Sequence, residues 1–197
     1  MKRMMKDTGI LFLITLVAGL LLGAVYEVTK EPIARQKELK KTMAYQEVFP
    51  DAASFESLEL SAPEITGETG AVTLNNTSLA QDEQGELLGY VMDITTHEGY
   101  NGDIRFSMGI RVDGTINGIS LLSISETPGL GMQAEEVLKP QFSGKTVNAF
   151  VLSKTGAVTS DEIDAISGAT ITSNALVLGV NEGLQWFYSE LGGGKDE

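Results

Sequence analysis

From Gly9 to Tyr26 the chain runs uncharged through GILFLITLVAGLLLGAVY, a stretch of 18 residues. As a helix rising about 1.5 Å per residue it covers about 27 Å, close to the roughly 30 Å hydrocarbon core of a bilayer. The stretch therefore predicts one transmembrane helix. Lys2, Arg3 and Lys6 precede it, while Glu27 and Glu31 are mixed with Lys30 and Arg35 beyond it. Positive charge favours the cytoplasmic side, so the expected orientation leaves residues 1–8 in the cytoplasm and exports everything after Tyr26. A cleaved signal peptide is the competing reading, but its apolar region would be 7–15 residues long and end at a small-x-small site, and here the run is longer and the site poor. Both readings export the rest of the chain. Gly19 and Gly23 form a small-xxx-small pair, suited to packing against another membrane helix or equally to a lipid-facing position.

The 197 residues allow one further compact domain of ordinary size. Charge is divided unevenly: residues 42–197 hold six basic and twenty-three acidic side chains, a net charge of −17. Such a domain repels phosphate backbones, which argues against nucleic acid as a partner. The absence of cysteine removes disulfides, thiolate metal sites, iron–sulfur clusters and c-type haem. A single histidine, His97, leaves no basis for an imidazole metal centre or a Ser/His/Asp hydrolase. No metal site is expected, and redox chemistry in this chain requires an organic cofactor.

Helix formers around Ile33, Leu39, Met43 and Val48 predict a helical linker over residues 27–50, with Pro32 in its first turn, that lifts the domain off the membrane. Residues 51–86 are acidic and turn-rich, with Asn75-Asn76 and Gly85 as breakers, and predict short strands or loops. Alternation and β-formers then mark strands in LLGYVMDITTH, DIRFSMGIRV and TINGISLLSIS, separated by turns at EGYNG and Asp113-Gly114. A helical patch, MQAEEVLKPQF, and a strand around Thr146–Leu152 follow. Leu176, Val177, Val180, Leu184, Phe187 and Leu191 recur at helical spacing, predicting an amphipathic helix from Asn174 to Leu191. The expected fold is α+β: one N-terminal transmembrane helix, then a single extracytoplasmic domain, residues 51–197, with a largely antiparallel sheet.

Two glycine-containing segments are unlike hairpin turns. In Glu126-Thr127-Pro128-Gly129-Leu130-Gly131 a Pro-Gly pair fixes a tight turn where a strand gives way to a helix, and Gly131 permits close backbone approach. Asp164-Ala165-Ile166-Ser167-Gly168-Ala169-Thr170-Ile171-Thr172-Ser173-Asn174 sets hydroxyls directly before the last amphipathic helix. On one reading Thr172, Ser173 or Asn174 caps that helix. On the other, its free N–H groups and positive dipole end hold an anion such as a flavin phosphate.

The segment DAISGAT resembles the motif at which a flavin transferase joins FMN to a threonine by a phosphoester: Asp, two variable residues, Ser or Thr, Gly, Ala, Thr or Ser. With ETPGLG, the Gly99-Tyr100…Gly102 segment, the VTKEPI junction and the N-terminal anchor, the chain resembles the G subunits of the Rnf-type ion-translocating ferredoxin:NAD oxidoreductases. The C subunits of the sodium-translocating NADH:quinone oxidoreductases are the related alternative. The resemblance implies FMN bound covalently through Thr170, with Asp164 and Ser167 read by the transferase or holding the loop. On this reading Gly168 and Ala169 supply the low side-chain bulk that leaves the acceptor accessible in the FMN site, Thr172 and Ser173 with the helix N-terminus contact the phosphate, and Glu126, Thr127, Gly129, Leu130 and Gly131 line the flavin. The function it implies is electron transfer, non-catalytic in isolation, within a membrane complex that couples it to Na⁺ or H⁺ transport. The partners are the other membrane and redox subunits and, during maturation, the flavin transferase. The NAD-binding fingerprint Gly-x-Gly-x-x-Gly after a strand is absent from the chain. A cofactor-free, membrane-tethered scaffold using its acidic face is the alternative from another class. His97, beside Glu98 at a strand end, reads as a surface or partly packed side chain, and Trp186 as a core residue whose alternative is stacking on flavin.

Overall fold

The computed structural model describes residues 2–58 and 70–192, with side chains from residue 5 onward. A single helix, α1, spans Lys2–Val48 with Pro32 inside it, so the separate helix expected to begin at Pro32 is a continuation of the first. The chain divides into two units between Lys40 and Lys41. In the first, α1 is long and apolar enough to cross a membrane, and no residue of its apolar window is buried.

The second unit begins with the last two turns of α1, which the sequence assigned to a linker. They belong to a core: Tyr45, Val48, Phe49 and Ala52 are buried with Ala80 and Val91. Five antiparallel strands follow in sequential order, β1 (Ser54–Ser57), β2 (Val72–Gln81), β3 (Leu87–Thr96), β4 (Ile104–Arg111) and β5 (Ile116–Ser123). The three strands expected between residues 87 and 125 are β3 to β5. The Asp113-Gly114 turn forms between the last two, with Gly114 at φ +82° and the Thr115 N–H donating to Asp113 Oδ1 at 2.9 Å. Asn75-Asn76 does not break a strand. It lies within β2, where Leu74 pairs with Ile94 and Asn76 with Asp93, so that Asn75 is the extra residue of a bulge. Thr95 Oγ1 donates to its side chain at 2.5 Å, giving the bulged residue a partner. The intervening residues 59–69 lie outside the described residues.

Period-two alternation sends successive side chains to opposite faces of the sheet. Met92, Ile94, Phe106, Met108 and Ile110 point into the larger core, against α4 (Thr170–Glu190). Val91, Asp93, Ser107 and Gly109 point the other way, toward the end of α1. Gly109 and Gly89 make room there: a Cβ at Gly109 would lie 2.8 Å from Val48 Cβ, and one at Gly89 2.7 Å from Phe49 Cζ. On this face Asp93 is buried, accepting from Tyr45 OH at 2.9 Å and Ser107 Oγ at 2.7 Å and pairing with Lys41 Nζ at 3.3 Å.

The expected helix over residues 132–142 is a 3₁₀ turn (Gly131–Gln133) and two single-turn helices, α2 (Ala134–Val137) and α3 (Lys139–Phe142), with Pro140 in the first turn of α3. Proline lacks the N–H needed to continue the preceding helix, which explains the division. The strand expected around 146–152 is confined to β6 (Val151–Ser153), paired in parallel with β7 (Glu162–Asp164), a strand the sequence did not suggest. Helix α4 ends at Glu190, the N–H of the following Leu191 caps it by reaching Phe187 O at 3.1 Å, and Gly192 comes next at φ +69°, the left-handed conformation common after a helix.

Candidate functional site

The two glycine segments fold into similar turns and meet. In the first, the Leu130 N–H donates to Thr127 O at 3.1 Å across Pro128-Gly129, with Gly129 at φ +76°. Proline in second place and a positive-φ glycine in third is the pattern such a turn requires. In the second, the Ala169 N–H donates to Ile166 O at 3.0 Å across Ser167-Gly168, with Gly168 at φ +77°. Leu130 lies on Gly168 so closely that a Cβ there would be 3.2 Å from Leu130 Cδ2.

Helix α4 starts at Thr170, four residues before the expected Asn174, and this relocates the hydroxyls. Its N-cap is Ala169, with no side-chain capping bond; Thr172, Ser173 and Asn174 lie within the helix and do not cap it. Ser173 is fully buried and clamps the preceding turn, accepting from the Ile166 N–H at 3.0 Å and donating to Ala169 O at 2.9 Å. Thr172, also buried, donates to Glu126 Oε2 at 3.1 Å. Thr170 is half-buried and its hydroxyl has no partner among the described residues. The N–H groups of Thr170, Ile171 and Thr172 precede the first intrahelical acceptor. Only Ser173 N–H reaches back, to Ala169 O at 3.0 Å.

These segments line a cleft of about 450 Å³, within the roughly 300–1,000 Å³ of small-molecule sites. Glu126, Thr127, Leu130 and Gly131 form one wall, Gly168 to Thr172 another, and Tyr100 a third. Tyr100 is not among the candidates read from the sequence. It stands on the β3–β4 hairpin, 67% exposed, and the signal for it is the Gly99-Tyr100…Gly102 segment. Of the candidates, Ser167, Gly129 and Ser173 are not in the lining: Ser167 is exposed on its turn, Gly129 shapes the other turn and Ser173 is internal. Asp164 is likewise outside it. Its side chain accepts from the Ala157 N–H while Gln141 bonds its backbone on both sides, at 2.7 and 3.2 Å.

Glu126 ties the three walls together. It is 5% exposed, and besides Thr172 it accepts from the Asn101 N–H at 3.3 Å. A Cβ on Gly131 would fall 2.6 Å from Thr172 Oγ1 and 2.7 Å from Glu126 Cβ, so the close approach anticipated for this glycine is present. His97 is a clasp at the base of the same hairpin, with Nδ1 2.8 Å from Asp103 Oδ1 and Nε2 3.0 Å from Thr73 Oγ1. Trp186 is buried in the core beside Val72, Leu74 and Ile94, outside the cleft lining.

Residues 99–185, which include every wall of the cleft, match the profile of the FMN-binding domain, and residues 1–48 match that of the RnfG N-terminal region. Over 183 residues the chain is 38% identical to the G subunit of the Na(+)-translocating ferredoxin:NAD(+) oxidoreductase complex of Acetobacterium woodii, covering 89% of this chain and 87% of that one. The chain belongs to the RnfG family. The G subunit of the ion-translocating oxidoreductase complex of Methanosarcina acetivorans is 30% identical over 97% of this chain and 98% of its own. That of the proton-translocating ferredoxin:NAD(+) oxidoreductase complex of Clostridium ljungdahlii is 28% identical over 95% and 97%. The crystal structure of Shewanella oneidensis NqrC superimposes with a TM-score of 0.49 at 22% identity, covering 60% of this chain and 61% of that one. This member of the RnfG family is thus a membrane protein with an FMN-binding domain, and the resemblance carried by ETPGLG and DAISGAT is met on the ferredoxin-linked side.

The residues present fit FMN. Unpaired N–H groups at the start of a 21-residue helix suit a phosphate in an otherwise acidic domain. Leu130, Ile171 and Tyr100 give apolar surface for a planar ring, and Gly131 and Gly168 keep the walls free of side chains where these close on one another.

Proposed function

We propose that this RnfG-family protein holds FMN as a phosphoester on Thr170 and relays electrons within a membrane-bound, ion-translocating ferredoxin:NAD oxidoreductase complex. The observation that carries the covalent site is the Thr170 hydroxyl, which has no partner among the described residues and lines the cleft at the start of α4 while Thr172 and Ser173 are engaged within the fold. Attachment would replace the Thr170 O–H bond and a P–O bond of the flavin donor by an O–P bond between Thr170 and the flavin phosphate, the donor's leaving group taking the proton, so that the chain would gain one FMN less one water. When bound, FMN supplies the redox chemistry that no side chain of this chain offers. The helix N-terminus holds the phosphate, Leu130 and Tyr100 flank the ring, and Glu126 keeps the three walls in register. Asp164 fixes the loop before the motif, and exposed Ser167 and Gly168 are what a flavin transferase reads. Lys2, Arg3 and Lys6 keep the N-terminus in the cytoplasm and the FMN-binding domain outside it. The other membrane and redox subunits of the complex are the electron partners.

Coexpression with a flavin transferase tests this reading. The full chain should run as a fluorescent band after denaturing electrophoresis, with the mass of one added FMN less water, and Thr170→Ala should lose both with its fold intact. A colourless, unmodified parent chain under those conditions would favour the cofactor-free scaffold instead. An adduct that persists in Thr170→Ala would refute the site.

A further inference from the structure

We infer that the carboxylate of Glu126 sets the reduction potential of the flavin in this cleft, holding it below the value the same site would have without that charge. The inference rests on the FMN reading above and concerns a different property of the site. Glu126 is the sole charged side chain in the lining, which has no Lys, Arg or His among the described residues. It is 5% exposed and makes no ion pair with a described residue. Both oxygens accept, Oε2 from the Thr172 hydroxyl at 3.1 Å and Oε1 from the Asn101 N–H at 3.3 Å. Each oxygen thus has a donor group within reach, the arrangement that an ionised carboxylate, with no proton of its own to donate, requires. The packing around it leaves little room to turn away: a Cβ on Gly99 would lie 2.8 Å from Glu126 Oε1, and one on Gly131 would lie 2.7 Å from its Cβ.

A buried negative charge compensated by two neutral donors acts on whatever occupies the cleft. The ring gains negative charge on reduction wherever electron uptake is not matched by protons, and repulsion from Glu126 opposes that gain. At an effective dielectric of about 20, one charge acting on another across about 12 Å changes an equilibrium about tenfold. The cleft is small enough that its occupant lies within that range of its walls.

The experiment uses the full-length flavinylated chain in detergent, with covalent loading checked by mass and the midpoint read by spectroelectrochemical titration. Glu126→Gln keeps the shape and removes the charge, and Glu126→Ala removes it where the amide disturbs the site. Either variant should raise the reduced-to-oxidised ratio at fixed ambient potential at least tenfold, about 30 mV for a two-electron couple. Glu126→Asp, which keeps the charge, should stay within about threefold of the parent. An unchanged midpoint in the neutral variants, or an equal shift in Glu126→Asp, overturns the inference. So does loss of loading or of the fold in both neutral variants, since Glu126 would then be a structural post. Failure of the parent itself to take up flavin is a distinct result and bears on the FMN reading.

Discussion

Gly179 and Gly183 lie four residues apart on the buried face of α4, the helix that begins at Thr170, and give a controlled test of how that helix is seated. Alanine at either position gains about 1 kcal/mol of helix propensity. What differs is what the new methyl meets. At position 179 it would lie 2.9 and 3.0 Å from two atoms of the Phe106 ring, well inside the roughly 3.5–4.0 Å of carbon contacts. Phe106 is fully buried, and its rigid ring can retreat only by moving the sheet or the helix. Overpacking of that kind costs about 1–3 kcal/mol. At position 183 the methyl would lie 2.7 Å from Met108 Cε and 2.7 Å from Ile94 Cδ1, both ends of side chains that can change rotamer. Gly179→Ala should therefore be less stable than the parent by about 1 kcal/mol, about 2 of overpacking less about 1 of propensity. Gly183→Ala should lie within about 0.5 kcal/mol of it. Trp186, the single tryptophan, is buried on the same helix, so its emission during urea unfolding of the micelle-held chain reports the transition. Gly179→Ala at or above parental stability, or a larger loss in Gly183→Ala, would refute the account of this interface.

Asp93→Ala should cost about 3 kcal/mol, because it strips the buried Tyr45 and Ser107 hydroxyls of their acceptor, at about 1–3 kcal/mol for each buried group left unsatisfied; Asp93→Asn, which retains an acceptor, should cost less, and urea midpoints rank the two. Glu47 pairs with Lys139 at 2.5 Å and accepts from Ser120 Oγ at 2.5 Å. Burial pushes the Glu47 carboxyl up, but hydrogen bonds from Lys139 and Ser120 with the charge of Lys139 outweigh it and hold it below its ordinary range. A lowered carboxyl stabilises the fold fully above about pH 4.3, its ordinary value, and the contribution is lost as pH falls through the lowered one. Burial lowers Lys139, but bonds and charge from Glu135 and Glu47 outweigh it and raise it, so its contribution persists up to the ordinary lysine value, about pH 10.4, and is lost above it. Glu47→Gln should flatten the acid limb of a stability–pH curve by less than about 1 kcal/mol, the pair being partly exposed; a steeper acid limb would contradict the assignment.

The sheet was legible where alternation and turn chemistry agreed. Strands β3, β4 and β5 carry a period-two pattern bounded by Gly99–Gly102 and Asp113-Gly114, and each formed where expected. Pattern failed where a local signal had two outcomes. Asn75-Asn76 reads as a breaker from composition, yet a bulge accommodates one residue and Thr95 satisfies its side chain. Pro32 reads as a helix start, yet α1 continues through it. The role of Lys41–Phe49 depends on glycines far along the chain, at 89 and 109, whose missing side chains open the sheet to Val48 and Phe49. No window of the sequence contains that complementarity.

At the site, the motif pointed to a segment that lines the cleft, and the fold decides what its hydroxyls can do. Thr172 and Ser173 stand before the apolar periodicity and so look like caps or phosphate ligands. Because α4 begins four residues earlier, one turns onto Glu126 and the other back onto Ile166 and Ala169. Their burial makes an adduct on either one incompatible with the packing that holds the cleft together, whereas the attachment proposed at Thr170 would break no bond among the described residues. Thr170→Ser should accordingly retain attachment, since its oxygen occupies the same position at the start of the helix. Thr170→Ala should yield no adduct rather than one displaced by two or three residues, and peptide mapping of both variants would detect a migrated flavin. Modification found on Thr172 or Ser173 would mean that the first turn of α4 unwinds during maturation, and would remove the structural reason for selecting Thr170.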